Sequence, residues 1–162
     1  MLHTISVLVV NQFGVLSRIS GLFSGRGFNI ESLNVAETNE SGISRMTIIT
    51  RGDDKKIEQI TKQLNKLVDV IKVIDLTEEN FVDRELILVK MNAETRVREE
   101  ILRIVDIFRA KVIDVSHENY TVEITGDEGK IRGFLDLLKP LGIKEIVRSG
   151  RIAISRGTKS IN

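Results

Sequence analysis

The chain has 162 residues, enough for one ordinary domain or two small ones. Its net charge of +1, its 4% aromatic content and its lack of Trp supply neither a bulk field nor a stacking surface for nucleic acid or an anionic membrane. The absence of Cys excludes disulfides, thiolate nucleophiles and cysteine metal sites. No apolar run approaches the ~20 residues of a membrane-spanning helix, and no basic-then-apolar leader opens the chain. The expectation is a soluble cytoplasmic protein.

Hydrophobic periodicity divides the chain into short elements. Leu2 to Val10 reads as a strand. Leu16, Ile19, Leu22 and Phe23 then fall at helical spacing, and Gly25 and Gly27 end that helix. A strand from Phe28 through Val35, a hairpin turn at Asn39-Glu40-Ser41-Gly42 and a strand from Ile43 to Thr50 follow. Asp53 or Asp54 can cap a helix whose stripe is Ile57, Ile60, Leu64 and Leu67, and the β-branched run Val68 to Leu76 closes the set. Strand, helix, strand, strand, helix, strand is the ferredoxin-like order.

Thr77-Glu78-Glu79-Asn80 is a polar break without core positions, which places a linker at 77–82 between a domain at 1–76 and a second at 83–162. The same order then recurs. Glu85 to Met91 is a strand, Val97, Ile101, Ile104 and Phe108 mark a helix, and Lys111 to Val115 and Tyr120 to Thr125 flank a turn at His117-Glu118-Asn119. Gly126-Asp127 opens a helix carrying Ile131, Phe134, Leu135 and Leu138, which Pro140 and Gly142 stop. Ile143 to Ile154 supplies the last strand, bent at Ser149-Gly150. The fold class is α+β, with two consecutive βαββαβ domains.

The most informative stretch is Asn11-Gln12-Phe13-Gly14-Val15-Leu16, where a strand turns over a glycine into a helix. A helix start offers free N–H groups and the positive end of the helix dipole, a setting for a carboxylate or phosphate. Two readings stand. Asn11 can cap the helix, with Gly14 allowing the tight turn. Alternatively the turn receives a small zwitterion, with amides of Gly14 and Val15 on its carboxylate and the Asn11 side chain on its ammonium. Asn29 is either a turn residue or a second ligand contact. The second half has Asn92-Ala93-Glu94-Thr95 at the corresponding place and no such turn.

Other candidates carry less chemistry. Gly21, Gly25 and Gly27 lie within and after a helix, not between strand and helix as a dinucleotide loop requires. His3 and His117 lack metal-ligand spacing and read as surface or turn residues. Glu78-Glu79 reads as solvated linker, and Ser17 and Ser24 lack a base. Arg148, Arg151 and Arg156 make the C-terminal end basic, as a charged surface strand or a docking surface for an acidic partner.

Residues 11–16 with Ser17-Arg18, the segment Gly21 to Leu33, Ser44-Arg45-Met46-Thr47-Ile48 and Gln63 to Val70 resemble the small, regulatory subunit of acetohydroxyacid synthase (acetolactate synthase), whose N-terminal part is an ACT domain. Arg84 to Lys90, Ile107-Phe108-Arg109, Ile113-Asp114-Val115 and Arg148-Ser149-Gly150 continue the likeness through the second half. The resemblance implies a non-catalytic partner of a large subunit that holds thiamine diphosphate, a divalent metal (Mg) and FAD. That large subunit condenses pyruvate with a second 2-oxo acid in branched-chain amino-acid synthesis. The small subunit raises its activity and confers feedback inhibition, usually by valine, with leucine or isoleucine as alternatives.

In the family, ACT domains pair into a homodimer with the effector at the interface. Asn11 and Gly14 match the family's effector turn, and Asn29 with Ile30 its second effector segment. The resemblance therefore implies that amides near Gly14 and Val15 bind the effector carboxylate. Asn11 and Asn29 orient its polar groups, Asn29 from the other protomer, and Leu16, Ile30 and Val35 shape an apolar cavity. Phe13 stands where proline is common in ACT domains. The rival readings are a free-standing amino-acid-sensing ACT protein that regulates another enzyme, a small ferredoxin-like enzyme and an RNA-binding module. Lack of a nucleophile–base pair opposes the second, and neutral charge opposes the third.

Overall fold

Ile5, Val7 and Val9 of the first strand fall on one side of its pleat, and a sheet with one helical layer is the arrangement that buries them. The computed structural model describes residues 1–161. It separates into two compact units: Met1–Val82 together with the chain from Arg151 onward, and Asp83–Gly150.

The first unit runs β1 (Leu2–Val10), α1 (Val15–Gly25), β2 (Ile30–Glu37), β3 (Ile43–Arg51), α2 (Asp54–Leu64) and β4 (Val70–Asp75). Its antiparallel sheet has the order β2-β3-β1-β4. Ile5, Val7 and Val9 of β1, with Met46 and Ile48 of β3, meet Val15, Ile19 and Phe23 of α1 and Ile57, Ile60 and Leu64 of α2. Asp53 caps α2, its side chain accepting from the Lys56 N–H at 2.8 Å. Leu67 and Val68 fall in the turn before β4, and Val68 is exposed.

The other face of this sheet carries Thr4, Ser6 and Leu8 beside Ile49, Thr47 and Arg45 in register. Residues 151–155 lie along it. The Ala153 N–H donates to Thr47 Oγ1 at 3.4 Å, Arg45 Nη2 to the Ala153 carbonyl at 3.3 Å and the Arg151 N–H to Ser32 Oγ at 3.3 Å. Burial of the Arg45 guanidinium lowers its pKa from the ordinary arginine value. Strand β9 (Ile152–Ser155) pairs with β5 (Phe81–Asn92), whose first two residues belong to this unit. The final segment is expected with the second domain and is found with the first, because small Ala153 and the hydroxyls of Ser32 and Thr47 let a backbone approach the sheet. The expected linker is also shorter. Leu76 is fully buried, Thr77 Oγ1 accepts from the Thr4 N–H at 3.0 Å, and β5 begins at Phe81.

The second unit continues β5 with α3 (Arg98–Ile107), β6 (Lys111–Val115), β7 (Asn119–Gly126), α4 (Glu128–Gly142) and β8 (Ile143–Arg148), in the sheet order β6-β7-β5-β8. Ile87, Val89 and Met91 pack with Ile101, Ile104, Phe134 and Leu138, and Phe108 meets Phe134 edge to face. Pro140 lies inside α4 and does not stop it. Its missing N–H frees only the carbonyl of Asp136, an exposed residue that water can serve. Gly142, at φ 100°, ends the helix. The expected bent last strand is two strands: β8 stays in this unit, and Gly150 at φ 82° precedes the return to the first.

Arg148 is not a free basic residue. Its Nε and Nη2 reach Glu85 Oε1 and Oε2 at 2.8 and 2.7 Å, and this bidentate bond raises its pKa. Glu85 is 5% exposed. Arg148→Leu should lower the unfolding free energy by ~1–3 kcal/mol, because it strands a buried carboxylate. Adding Glu85→Leu should recover most of the loss in urea denaturation.

Candidate functional site

Strand β1 ends at Val10 because its register partners end there. Val10 pairs with Ile43, the Asn11 N–H donates to the Gly42 carbonyl, and the Val10 N–H donates to the Asp69 carbonyl, both at 2.8 Å. The chain then needs a left-handed residue to enter α1. Gly14 supplies it as the cap position, at φ 83°, and no side chain caps this helix. The capping reading of Asn11 is therefore overturned: Asn11 lies three residues before the cap and is exposed.

Around the turn the polar groups are partly committed. The Val15 N–H reaches the Gln12 carbonyl at 3.4 Å and the Arg18 N–H the Gly14 carbonyl at 3.0 Å. The helix leaves open the amides of Leu16 and Ser17, next to Gly14. Arg18 was missed as part of this site. Its Nε and Nη2 bond to Asp69 Oδ2 at 2.9 and 2.5 Å, and a β-carbon on Gly14 would lie 3.0 Å from its Nη1. A guanidinium thus overhangs the glycine turn, held there by a carboxylate from the residue just before β4. The sequence signal was available in Arg18 one turn after Gly14, but its partner Asp69 is 51 residues away.

The other expected side chains divide into two kinds. Val15 is buried in the core and contributes backbone only. Leu16 and Val35 are each 42% exposed, and Phe13 is fully exposed. Ile30 packs partly against the core cluster, and Asn29 is exposed with its carbonyl accepting from Thr50 Oγ1 at 2.7 Å.

Strand direction keeps the two groups apart. β1 and β2 both run antiparallel to β3, so they run in the same direction. Val10 sits opposite Ile43, whereas Ile30 sits opposite Thr50. Seven steps along β3 at about 3.3 Å each separate those rows by roughly 23 Å. One chain therefore holds Asn11 and Gly14 at one end of its sheet and Asn29 and Ile30 at the other.

The corresponding turn in the second unit is filled by its own side chains. The Ala93 N–H donates to the Glu118 carbonyl at 2.7 Å, and Arg98 donates to the Ala93 and His117 carbonyls. Helix α3 starts at Val97 in an ordinary right-handed conformation.

His3 is buried, at 2% exposure, and not a surface residue as the sequence suggested. Its Nδ1 lies 3.3 Å from Asp75 Oδ2, and its Nε2 has no hydrogen-bond partner among the described residues. Among those residues no group of three or more His, Asp or Glu side chains is placed to hold a metal ion, and no helix is long and apolar enough to cross a membrane.

A family model for the AHAS small subunit-like ACT domain matches residues 5–72, and one for the small subunit of acetolactate synthase matches residues 84–157. The acetolactate synthase small subunit of Aquifex aeolicus is 55% identical over 95% of this chain and 81% of its own length. That of Mycolicibacterium smegmatis is 51% identical over 98% of this chain and 94% of its own. This chain belongs to the family of acetolactate synthase small subunits. The crystal structure of the small subunit from Thermotoga maritima superposes with a TM-score of 0.88 at 43% identity, covering 98% of this chain and 99% of that one. The acetolactate synthase small subunit is thus the frame in which the turn at Gly14 is read, with an ACT domain as its N-terminal half.

Two substitutions separate structural from receptor roles at the turn. Asn11→Ala should change stability by less than about 0.5 kcal/mol, since no cap is lost. Gly14→Ala should cost ~1–2 kcal/mol for the left-handed backbone, with further displacement of Arg18. Thermal and urea unfolding of both variants check this.

Proposed function

We propose that this chain is the non-catalytic regulatory partner of the catalytic large subunit of acetolactate synthase. It raises that subunit's activity and makes it sensitive to feedback inhibition by a branched-chain amino acid, valine before leucine or isoleucine. The large subunit carries thiamine diphosphate, Mg and FAD, and this chain supplies the effector site, in the cytoplasm.

The observation that carries the reading is the separation of the half-sites. Asn11, Gly14 and the open amides of Leu16 and Ser17 form one half, and Asn29 and Ile30 form the other, at opposite ends of one sheet. A second copy brings them together. Strand β2 is the edge of the sheet, the side on which a second copy can pair, and Val35 projects from it half-exposed. In the paired protein the amides of one copy hold the effector carboxylate and Arg18 adds positive potential. Asn29 of the other copy orients the ammonium, while Leu16, Ile30 and Val35 meet the branched side chain.

Inhibition then follows from linkage. The effector lowers activity by binding the inhibited arrangement better than the active one. A coupling of ~1–3 kcal/mol, about 5–150-fold, is the ordinary range. The self-filled turn at Ala93 leaves effector sensing to the N-terminal domain.

The test is acetolactate formation by the large subunit with and without this chain, in the presence of each branched-chain amino acid. Activity should rise with the chain and fall with valine. Gly14→Asp should reduce valine sensitivity at least tenfold while activation survives, because it sets a side chain and a negative charge beside the carboxylate position. Loss of activation with unchanged valine binding would remove Gly14 from the site. Asn11→Ala and Asn29→Ala chains should each be insensitive alone. Mixed, they should regain sensitivity, since one of the two pockets of a mixed dimer is intact. A pocket within one chain recovers nothing on mixing. A chain that neither co-purifies with the large subunit nor alters its rate is a free-standing amino-acid sensor instead.

A further inference from the structure

The face of the first sheet opposite α1 and α2 holds a cavity of about 290 Å³ that the effector reading does not use. Its floor is aliphatic, with buried Leu8 and partly buried Ile43, and the more exposed Ile71, Thr38, Glu40 and Lys72 line its mouth. Leu8 and Lys72 sit directly opposite each other in the β1–β4 register, so both point to this face and away from Gly14 and α1. We propose that this cleft is a second, separate receptor for a free aliphatic α-amino acid.

Three observations support the assignment. Ile161 lines the cleft and is only 4% exposed, adding a buried, branched aliphatic wall beside Leu8 and Ile43. Glu40 and Lys72 present opposite charges, and neither side chain has an ion-pair or hydrogen-bond partner among the described residues. Nearby Lys159, by contrast, is paired with Glu79. The Glu40 backbone is fixed: its N–H donates to Thr38 Oγ1 at 3.1 Å, that hydroxyl donates back to the Glu40 carbonyl at 3.3 Å, and the Ile43 N–H donates to the same carbonyl at 3.2 Å. An aliphatic floor with one carboxylate and one ammonium at its rim matches a ligand that carries an ammonium, a carboxylate and an alkyl group on one carbon. A peptide residue has lost both charges. The volume lies at the small end of ligand pockets, roughly 300–1,000 Å³, as suits an amino acid.

Methyl NMR of the full chain, labelled at Ile, Leu and Val, tests this with L-isoleucine as probe. The methyls of Leu8, Ile43, Ile71 and Ile161 should shift saturably in the wild type and equally in Gly14→Asp. Asn29→Ala serves as a second background if Gly14→Asp loses its native spectrum. Lys72→Met and Glu40→Gln should each raise the midpoint about tenfold, the loss of one charge-assisted contact. N-acetyl-L-isoleucine amide, without either charge, should bind at least tenfold more weakly. Shifts that vanish in both Gly14→Asp and Asn29→Ala belong to the effector turn and overturn the second site. So do an unchanged midpoint in Lys72→Met and Glu40→Gln, equal response to the uncharged analogue, or no shift at these four methyls.

Discussion

Strand β1 is buried on both faces although its sheet is antiparallel, and the architecture of the first unit follows from that constraint. Residues 3–9 are all buried. Ile5, Val7 and Val9 need the helical layer. Thr4, Ser6 and Leu8 need a second cover, and an antiparallel sheet with helices on one side leaves that face to water. The chain meets the need with residues 151–161, in which Ala153 lies over Thr47 and Ile161 lines a cleft with Leu8. The face they cover is mixed in polarity, so the cover is held by main-chain bonds to hydroxyls and a guanidinium as well as by apolar contact. Burial of a donor without a partner is costly, and Arg45, Thr47 and Ser32 all find backbone partners there.

The same strand also organises the turn at Gly14. Its end is pinned on two sides, to Gly42 and to Asp69, so the chain reaches Gly14 from a fixed direction. Asp69 acts twice: its carbonyl holds β1 and its carboxylate holds Arg18 over the turn. The positive end of α1 and the Arg18 guanidinium then lie on one side of the chain, and the exposed Phe13 and Leu16 beside them give an apolar border.

Much of this was legible in the sequence. Period-two and period-3.6 patterning located the six elements of each βαββαβ set, with β9 merged into the strand before it, and β1 and β6 match their expected bounds residue for residue. Asp53, read with Asp54 as a candidate cap, and Asp127, read as the opening of a helix, both cap through their side chains, because capping is local chemistry decided within three residues. The errors share a cause. Asn11 resembles a cap in composition, but the helix enters through Gly14. His3 looks exposed in a terminal segment, but the helical layer closes over it. Pro140 looks like a stop, but one lost hydrogen bond on a solvated side does not end a helix that buries Phe134 and Leu138. Each depends on which face a residue presents after packing.

The sequence by itself determined the element order, the two-fold recurrence of βαββαβ, the family and the glycine turn between the first strand and its helix, since these rest on local periodicity and on side-chain identity. Only the tertiary structure decided which groups meet across long separations. The Arg18–Asp69 pair spans 51 residues and the Ala153–Thr47 contact 106. It also decided that Asn11 and Asn29 stand at opposite ends of one sheet, because two strands that flank a common antiparallel neighbour must run the same way. Spacing along the chain carries no information about that direction; hydrogen-bond register does.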